Sequence, residues 1–425
     1  MKLAKPLYSF LGTFITPALH IWLKRRSKRG KEDAARIGER FGRTEVPRPL
    51  GTLVWLHAAS VGETQSVLTL VHALLDNHAH IHILITTGTV TSATLVAQQK
   101  LPRVIHQFVP VDTHFAVKRF LTHWHPDLAL WVESEFWPQL LWQAQAQHIP
   151  MLLINARISQ KTYEGWLKWP RTIRSVLHSF CSIYAGSADD AKRLTALGGT
   201  NIHDVGNLKY DAAPLPVSDT LLKQLTASCA GRPVFLAAST HANEEQTIAE
   251  THSIIAQAVP KLLTIIVPRH AARGNSIAAD LKASGVKLAQ RSKSDTIAAD
   301  TAIYLADTMG ELGSFYKLAD VVFMGGSLIA HGGQNPLEAA RFNNALITGP
   351  HTHNFTAIIQ RFIAAEAIHI AADKTTLAQE ATQLLKNSIV REAMAKRATS
   401  VVEQARGASV SILQQCDALL KRSAA

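Results

Sequence analysis

The sequence predicts two doubly wound α/β domains in tandem, led by an apolar N-terminal helix. Three observations carry this expectation. Short apolar runs alternate with helix-length segments, and the alternation occurs twice. A stretch with two prolines and no periodicity, Asp211 to Asp219, separates the two series. The chain has 425 residues, more than one core ordinarily organises.

The segment from Leu7 to Leu23 reads LYSFLGTFITPALHIWL and is followed by Lys24, Arg25, Arg26, Lys28, Arg29 and Lys31. A secretory signal would carry its charges before the apolar run and a small-residue cleavage site after it. The observed order instead predicts a membrane anchor with its basic flank over residues 1–30. It is either a short span or an interfacial helix on an anionic surface. The competing reading is a buried first helix of a soluble protein.

Residues 31–211 are expected to form the first domain. Its strands are expected at Thr52–Ala59, His82–Thr87, Val104–Val109, Leu128–Val132, Pro150–Asn155 and Ser182–Ala185. Helices are expected between them, as at Gln65–Leu75 and Gln139–Gln147. Residues 212–219 are the expected linker. Residues 220–425 are the expected second domain, with strands at Pro233–Ala238, Leu262–Val267, Val286–Ala289, Ala302–Leu305, Val321–Met324 and Ala345–Thr348. Helices are expected at Glu244–Ala258, Glu311–Leu318 and Pro336–Phe342, and the chain from Thr375 onward reads as helical and is assigned to this second domain. Two such domains are expected to face one another across a cleft, with ligands beyond the carboxyl ends of the strands.

The formal net charge of +12 admits three kinds of partner: nucleic acid, a membrane surface or an anionic substrate. Beyond the N-terminal cluster the basic residues are scattered, and no nucleic-acid-binding motif is present. Nucleic acid is therefore the weakest of the three. The three cysteines, Cys181, Cys229 and Cys416, form no CxxC pair and read as small buried hydrophobes in a reducing compartment.

Candidate chemistry sits where strands end. His57-Ala-Ala-Ser-Val-Gly-Glu63 joins the first strand to a helix. Ser60 and Glu63 have capping-box spacing, which weighs about equally with catalysis by Glu63. A Ser60/His57 hydrolase pair is weaker, because the GxSxG elbow is missing. Glu133-Ser-Glu135-Phe-Trp-Pro138 places two carboxylates after a buried strand, where one would suffice for a helix start. Lys209, in Gly206-Asn-Leu-Lys-Tyr-Asp211, is a cation suited to neutralising developing negative charge, although a lone lysine is more often a surface charge.

In the second half, Ser239-Thr-His241 and Pro268-Arg269-His270-Ala-Ala-Arg273 follow strands, Met309-Gly310-Glu311 opens a helix, and Gly325-Gly-Ser327 and Gly332-Gly-Gln-Asn335-Pro336-Leu337-Glu338 follow another strand. Helix-start amides and Arg269 suit a phosphate, and Glu338 suits a ribose diol. No Asp-x-Asp occurs, which suggests a donor with little phosphate charge or neutralisation by Arg269, Lys209 and helix dipoles; no metal ligands are assigned and no cofactor is expected.

Taken in order, HAASVGE, VESEFWP, NARIS, GNLKYD, VPRH, DTMGELGSFY, GGSL and HGGQNPLEAA resemble the 3-deoxy-D-manno-octulosonic acid (Kdo) transferases, glycosyltransferase family 30. The resemblance runs from about His57 to His353, with the anchor preceding it as in the family. It implies a GT-B fold and an inverting glycosyltransferase. Such an enzyme moves Kdo from CMP-Kdo to the 6′-hydroxyl of the lipid A precursor lipid IVA, at the cytoplasmic side of the cell inner membrane. It implies Glu63 as general base, with Glu133 and Lys209 stabilising the transition state. Pro268, Arg269, His270, Met309, Gly310, Glu311, Asn335, Pro336, Leu337 and Glu338 would bind CMP. A helix N-terminus is expected to hold the Glu63 carboxyl down and weaken it as a base. The alternatives are another GT-B nucleotide-sugar transferase, a sugar-nucleotide epimerase, or a non-catalytic membrane-attached two-lobed binding protein. CMP binding in preference to UDP or UMP separates the first two from the Kdo reading. Bound nucleotide without product marks the third.

Overall fold

Apolar runs flanked by turn residues become two all-parallel sheets buried on both faces. The computed structural model describes residues 4–423. The first sheet contains β1 (Leu53–His57), β2 (His82–Thr87), β3 (Val104–Phe108), β4 (Leu128–Val132), β5 (Met151–Ala156), β6 (Ser182–Ala185) and β7 (Ile202–Asp204). Their order is β3-β2-β1-β4-β5-β6-β7. The second sheet contains β8 (Val234–Thr240), β9 (Leu263–Pro268), β10 (Leu288–Gln290), β11 (Ile303–Leu305), β12 (Val321–Met324), β13 (Ala345–Thr348) and β14 (His369–Ile370). Their order is β10-β11-β9-β8-β12-β13-β14. The strand order reverses between β1 and β4 in the first sheet and between β8 and β12 in the second. Such switch points are where ligands bind in open α/β sheets.

Two edge strands, β7 and β14, were not among those expected. Both are short, and neither has the apolar run that marks a buried strand. They pair with β6 and β13 along one edge only.

One compact unit holds the chain up to Ala212 together with the segment from Arg406, and the other spans Ala213–Ala405. The expectation that the whole C-terminal region belongs to the second domain is therefore corrected. The last helix, Ala408–Ser423, buries Ala408, Ile412, Cys416 and Leu420 in the core of the first unit with Val54, Leu56 and Leu130. Asp211 fixes its start, accepting hydrogen bonds from Gly407 N (2.7 Å) and Ser409 N (2.6 Å). An amphipathic period says that a helix has an apolar face but not which sheet that face covers. Ile412→Ala is expected to destabilise the first unit by about 2–5 kcal/mol, read as a lower denaturation midpoint of tryptophan fluorescence, because it opens a cavity in a fully buried site. Trp55, Trp124, Trp131 and Trp142 are all buried in this unit.

The N-terminal apolar segment forms one helix, α1 (Ala4–Lys28), with Pro17 inside it. Among the described residues, no helix is long and apolar enough to cross a membrane. Part of α1 packs on the first unit. Leu23 is buried, His20 stacks on Phe41 at 4.3 Å and the Tyr8 hydroxyl donates to Asp112. Ile15, Ile21 and Trp22 remain exposed. Of the cysteines, Cys229 and Cys416 are buried and Cys181 is exposed, which corrects the expectation of three buried thiols.

Candidate active site

In the first unit, β1 is followed by Ala58-Ala59, and helix α2 (Val61–Asn77) begins after Ser60. Ser60 is its N-cap: its Oγ accepts from Glu63 N and donates to Glu63 Oε1 at 3.0 Å. Ala59 N donates to Glu63 Oε2 at 2.8 Å. The capping arrangement is therefore real, with the carboxylate reaching back to the Ser60 hydroxyl and to the backbone N–H of Ala59 rather than to that of Ser60.

Glu63 is buried, and this decides its acidity. Burial pushes the carboxyl up, and neighbouring Glu133 and Glu135 push further. Hydrogen bonds from Ala59 and Ser60 only partly offset them, and the result is about 7. The sequence led to the opposite expectation, a carboxyl held low by the helix start. Desolvation outweighs the dipole, whose effect is worth about 0.3–1 kcal/mol when exposed.

Glu133 follows β4 with a left-handed backbone, φ 58°. The chain leaves the sheet there, so Glu133 and Glu135 do not continue the strand. Asn155, at the end of neighbouring β5, also has positive φ, 49°. Non-glycine residues held in this region mark places where surrounding contacts outweigh local preference. Asn155 is fully buried, its Nδ2 donates to Glu133 Oε1 at 3.5 Å, and its Oδ1 accepts from Leu208 N at 3.1 Å. It thereby ties the acid after β4 to the short 3-10 turn Leu208–Asp211 that carries Lys209. Arg157 Nη1 lies 3.7 Å from Glu133 Oε1. Burial lowers the Lys209 ammonium, whereas Glu133 and Glu63 act in the opposite direction, so the three groups share one field. The structure thus brings Glu63, Glu133 and Lys209 together in one unit.

Asn155 and Arg157 were not singled out from the sequence as site residues. Their signal was the NARIS segment, which spans the end of β5, beside the switch-point strand β4. His57 is not a partner for Ser60. It is fully buried with Nδ1 at 3.0 Å from Thr86 Oγ1, and burial pushes its imidazole down to about 3.

In the second unit, Arg269 is exposed just beyond Pro268, the last residue of β9. Its backbone N donates to Thr240 O, at the end of adjacent β8. Met309 is exposed, Gly310 has φ 83° and Glu311 stands at the N-cap position of the helix Leu312–Leu318 without a side-chain hydrogen bond to it. Arg291 grips Glu311 with two hydrogen bonds, of 2.8 and 3.2 Å, and Thr308 adds a third, so the carboxyl is held below its usual range. Asn335 caps the helix Pro336–Ala340, its Oδ1 accepting from Leu337 N. Asn335 Nδ2 lies 3.4 Å from Glu338 Oε1. Burial raises the Glu338 carboxyl, whereas Asn335, Arg341 and Arg269 act to lower it. The His241 ring lies 3.7 Å from that of His331, tilted by 33°, and 6.1 Å from that of His270. Burial and the neighbouring imidazoles push His241 down to about 4.

The glycine pair after β12 has a structural use. Fully buried Glu244 accepts from Gly326 N (2.6 Å), Ser327 N (3.1 Å) and Leu328 N (3.1 Å), and also from His241 N (2.9 Å). Those amides serve an internal carboxylate. Glu244→Ala is expected to destabilise the second unit by at least about 3 kcal/mol in chemical denaturation, since it orphans several buried donors at about 1–3 kcal/mol each. Among the described residues, no group of three or more His, Cys, Asp or Glu side chains could hold a metal ion.

Two parallel-sheet α/β units, each with chemistry-bearing loops at its switch point, define a protein of GT-B type. Solved structures of that architecture align along most of the chain. The UDP-GlcNAc 2-epimerase of Neisseria meningitidis bound to UDP-GlcNAc has a TM-score of 0.57 and 15% identity, covering 84% of this chain and 99% of that one. The Anabaena protein HepE in complex with UDP has a TM-score of 0.54 and 13% identity, covering 88% of this chain and 100% of that one. At such identity the likeness shows the fold alone.

Sequence relatives narrow the class. A family profile described as 3-deoxy-D-manno-octulosonic-acid transferase (kdotransferase) matches residues 35–212. The 3-deoxy-D-manno-octulosonic acid transferase of Haemophilus influenzae is 32% identical over 98% of this chain and 99% of its own length. That of Bordetella pertussis is 33% identical over 93% of this chain and 95% of its own. The chain belongs to the Kdo transferase family and is a glycosyltransferase.

Proposed function

We propose that the enzyme transfers Kdo from CMP-Kdo to the 6′-hydroxyl of an acylated disaccharide bisphosphate, lipid IVA, with inversion at the anomeric carbon. The observation that carries this reading is the convergence of buried Glu63 with Glu133 and Lys209 at the switch point of the first sheet. A general base needs an acidity near the working pH, and Glu63 at about 7 has it. Glu63 takes the acceptor proton as the hydroxyl attacks. The C–O bond to the CMP phosphate breaks, and the charge left on that phosphate goes to Arg269 and the helix starts at Leu312 and Pro336. The transferring sugar passes through an oxocarbenium-like transition state, and Lys209, in the field of Glu133, neutralises negative charge that develops as CMP departs. Pro268 and His270, Met309 to Glu311, and Asn335 to Glu338 form the CMP-binding segments.

The enzyme works at the cytoplasmic side of the inner membrane, held there by α1 lying in one leaflet. Exposed Ile15, Ile21 and Trp22 and the basic run from Lys24 to Lys31 suit that position. Incubating the protein with CMP-Kdo and a tetraacyl disaccharide bisphosphate, with product masses read out, tests the reading. A mass gain of one or more Kdo units supports it, and unchanged acceptor refutes it.

A further inference from the structure

A cavity of about 500 Å³ lies within the first unit, between α1 and the loops that follow β1, β2, β3 and β4. That volume falls inside the roughly 300–1,000 Å³ range of sites that enclose small ligands. Its walls are mainly apolar. Ile15, Leu19 and Trp22 of α1 face Val109, Pro110 and Val111 of the loop after β3.

Two features say what such a cavity is for. The first is continuity with the candidate base. Ala59 and Glu135 both line the cavity; Ala59 N holds the Glu63 carboxylate, and Glu135 is one of the charges acting on it. The second is a polar atom left over. His57 also lines the cavity, is fully buried, and its Nε2 has no hydrogen-bond partner. A buried nitrogen without a partner costs free energy unless something supplies one. An ester or amide at the head of an acyl chain supplies it, while the methylenes behind it suit the apolar walls.

We propose that this cavity seats one acyl chain of the glycolipid acceptor, its head near Ala59 and His57 and its tail along α1. The inference rests on the transferase reading above and adds to it the place where the acceptor's lipid part is recognised. Chain burial beside Glu63 would set the sugar hydroxyl against the base, so binding free energy from a remote part of the substrate serves the reacting atoms.

The test compares two acceptors in mixed micelles with CMP-Kdo: the tetraacyl disaccharide bisphosphate and its fully deacylated form. Two variants fill the cavity from opposite walls, Leu19→Trp and Val111→Phe, and a third, Leu19→Ala, enlarges it. Wild type is expected to favour the acylated acceptor at least about tenfold in kcat/KM. Either filled variant is expected to raise KM for the acylated acceptor by about tenfold or more, leaving kcat/KM for the deacylated one within about twofold. Leu19→Ala is expected to retain the preference, which shows that filling, not loss of Leu19, is responsible.

The inference is overturned if filled, folded variants handle the acylated acceptor as wild type does, or if both acceptors suffer equally. It is also overturned if the variants lose sedimentation with anionic phospholipid vesicles yet keep acceptor discrimination, since the occupant is then bulk lipid. Wild type that transfers Kdo to neither acceptor refutes the transferase reading itself, and the cavity proposal with it.

Discussion

Glu63→Gln is expected to lower kcat by about 10²–10⁴-fold, the usual worth of general-base assistance. Glutamine keeps the shape of the side chain and still accepts the hydrogen bond from Ala59 N, so the capping arrangement at Ser60 survives. What it removes is the capacity to take a proton. Affinity for CMP is expected to stay within about twofold, because the proposed CMP segments all belong to the other unit. Alanine at the same position would add a capping loss of about 0.5–2 kcal/mol and blur the comparison. Transfer rates by product mass, with CMP binding by calorimetry, check both halves of the expectation.

Lys209→Met carries the second large effect. The ammonium is half-buried, and it shares its surroundings with Glu133, Arg157 and Glu63. A preorganised charge in such a place is worth about 10²–10³-fold in kcat. The loss is expected in kcat more than in KM for CMP-Kdo, since the residue acts where charge develops. Methionine keeps the length and apolar stem, which limits the cost to folding. An effect confined to donor KM would move Lys209 from transition-state stabilisation to ground-state binding.

Much of the fold was legible in the sequence, and the reason is visible strand by strand. The buried strands β1, β2, β4 and β8 are continuous apolar runs, which is how doubly covered parallel strands read. The edge strands β7 and β14 carry no such run. The last helix was assigned to the wrong unit because its partner, the face holding Val54, Leu56 and Leu130, lies some 280 residues away in sequence or more.

The candidate site was legible in its residues but not in its electrostatics. Glu63 stands at a helix start, and local sequence says only that a dipole acts there. The raised carboxyl follows from burial and from Glu133, seventy positions on, and neither is a local property. Asn155 shows the same limit: its work is to join the ends of two distant segments, Glu133 and Leu208. Glu244 shows the converse. The glycine pair before Ser327 stood among the candidate segments that follow strands, yet three successive amides of that loop are satisfied from inside.

Proton linkage gives Glu63 two opposite signatures. Its folded-state carboxyl lies above the usual value of 4.5, so its stabilising contribution is complete below that pH and is lost as pH rises through about 7. Activity runs the other way, because only the deprotonated form accepts a proton.

The pH dependence of kcat/KM therefore tests the role of Glu63 most directly, since it reports the acidities of groups in the free enzyme. Wild type is expected to show an acid limb with a midpoint near 7, and residual turnover by Glu63→Gln to lack that limb. A wild-type profile flat through that region, or the same limb persisting in Glu63→Gln, would contradict Glu63 as the base.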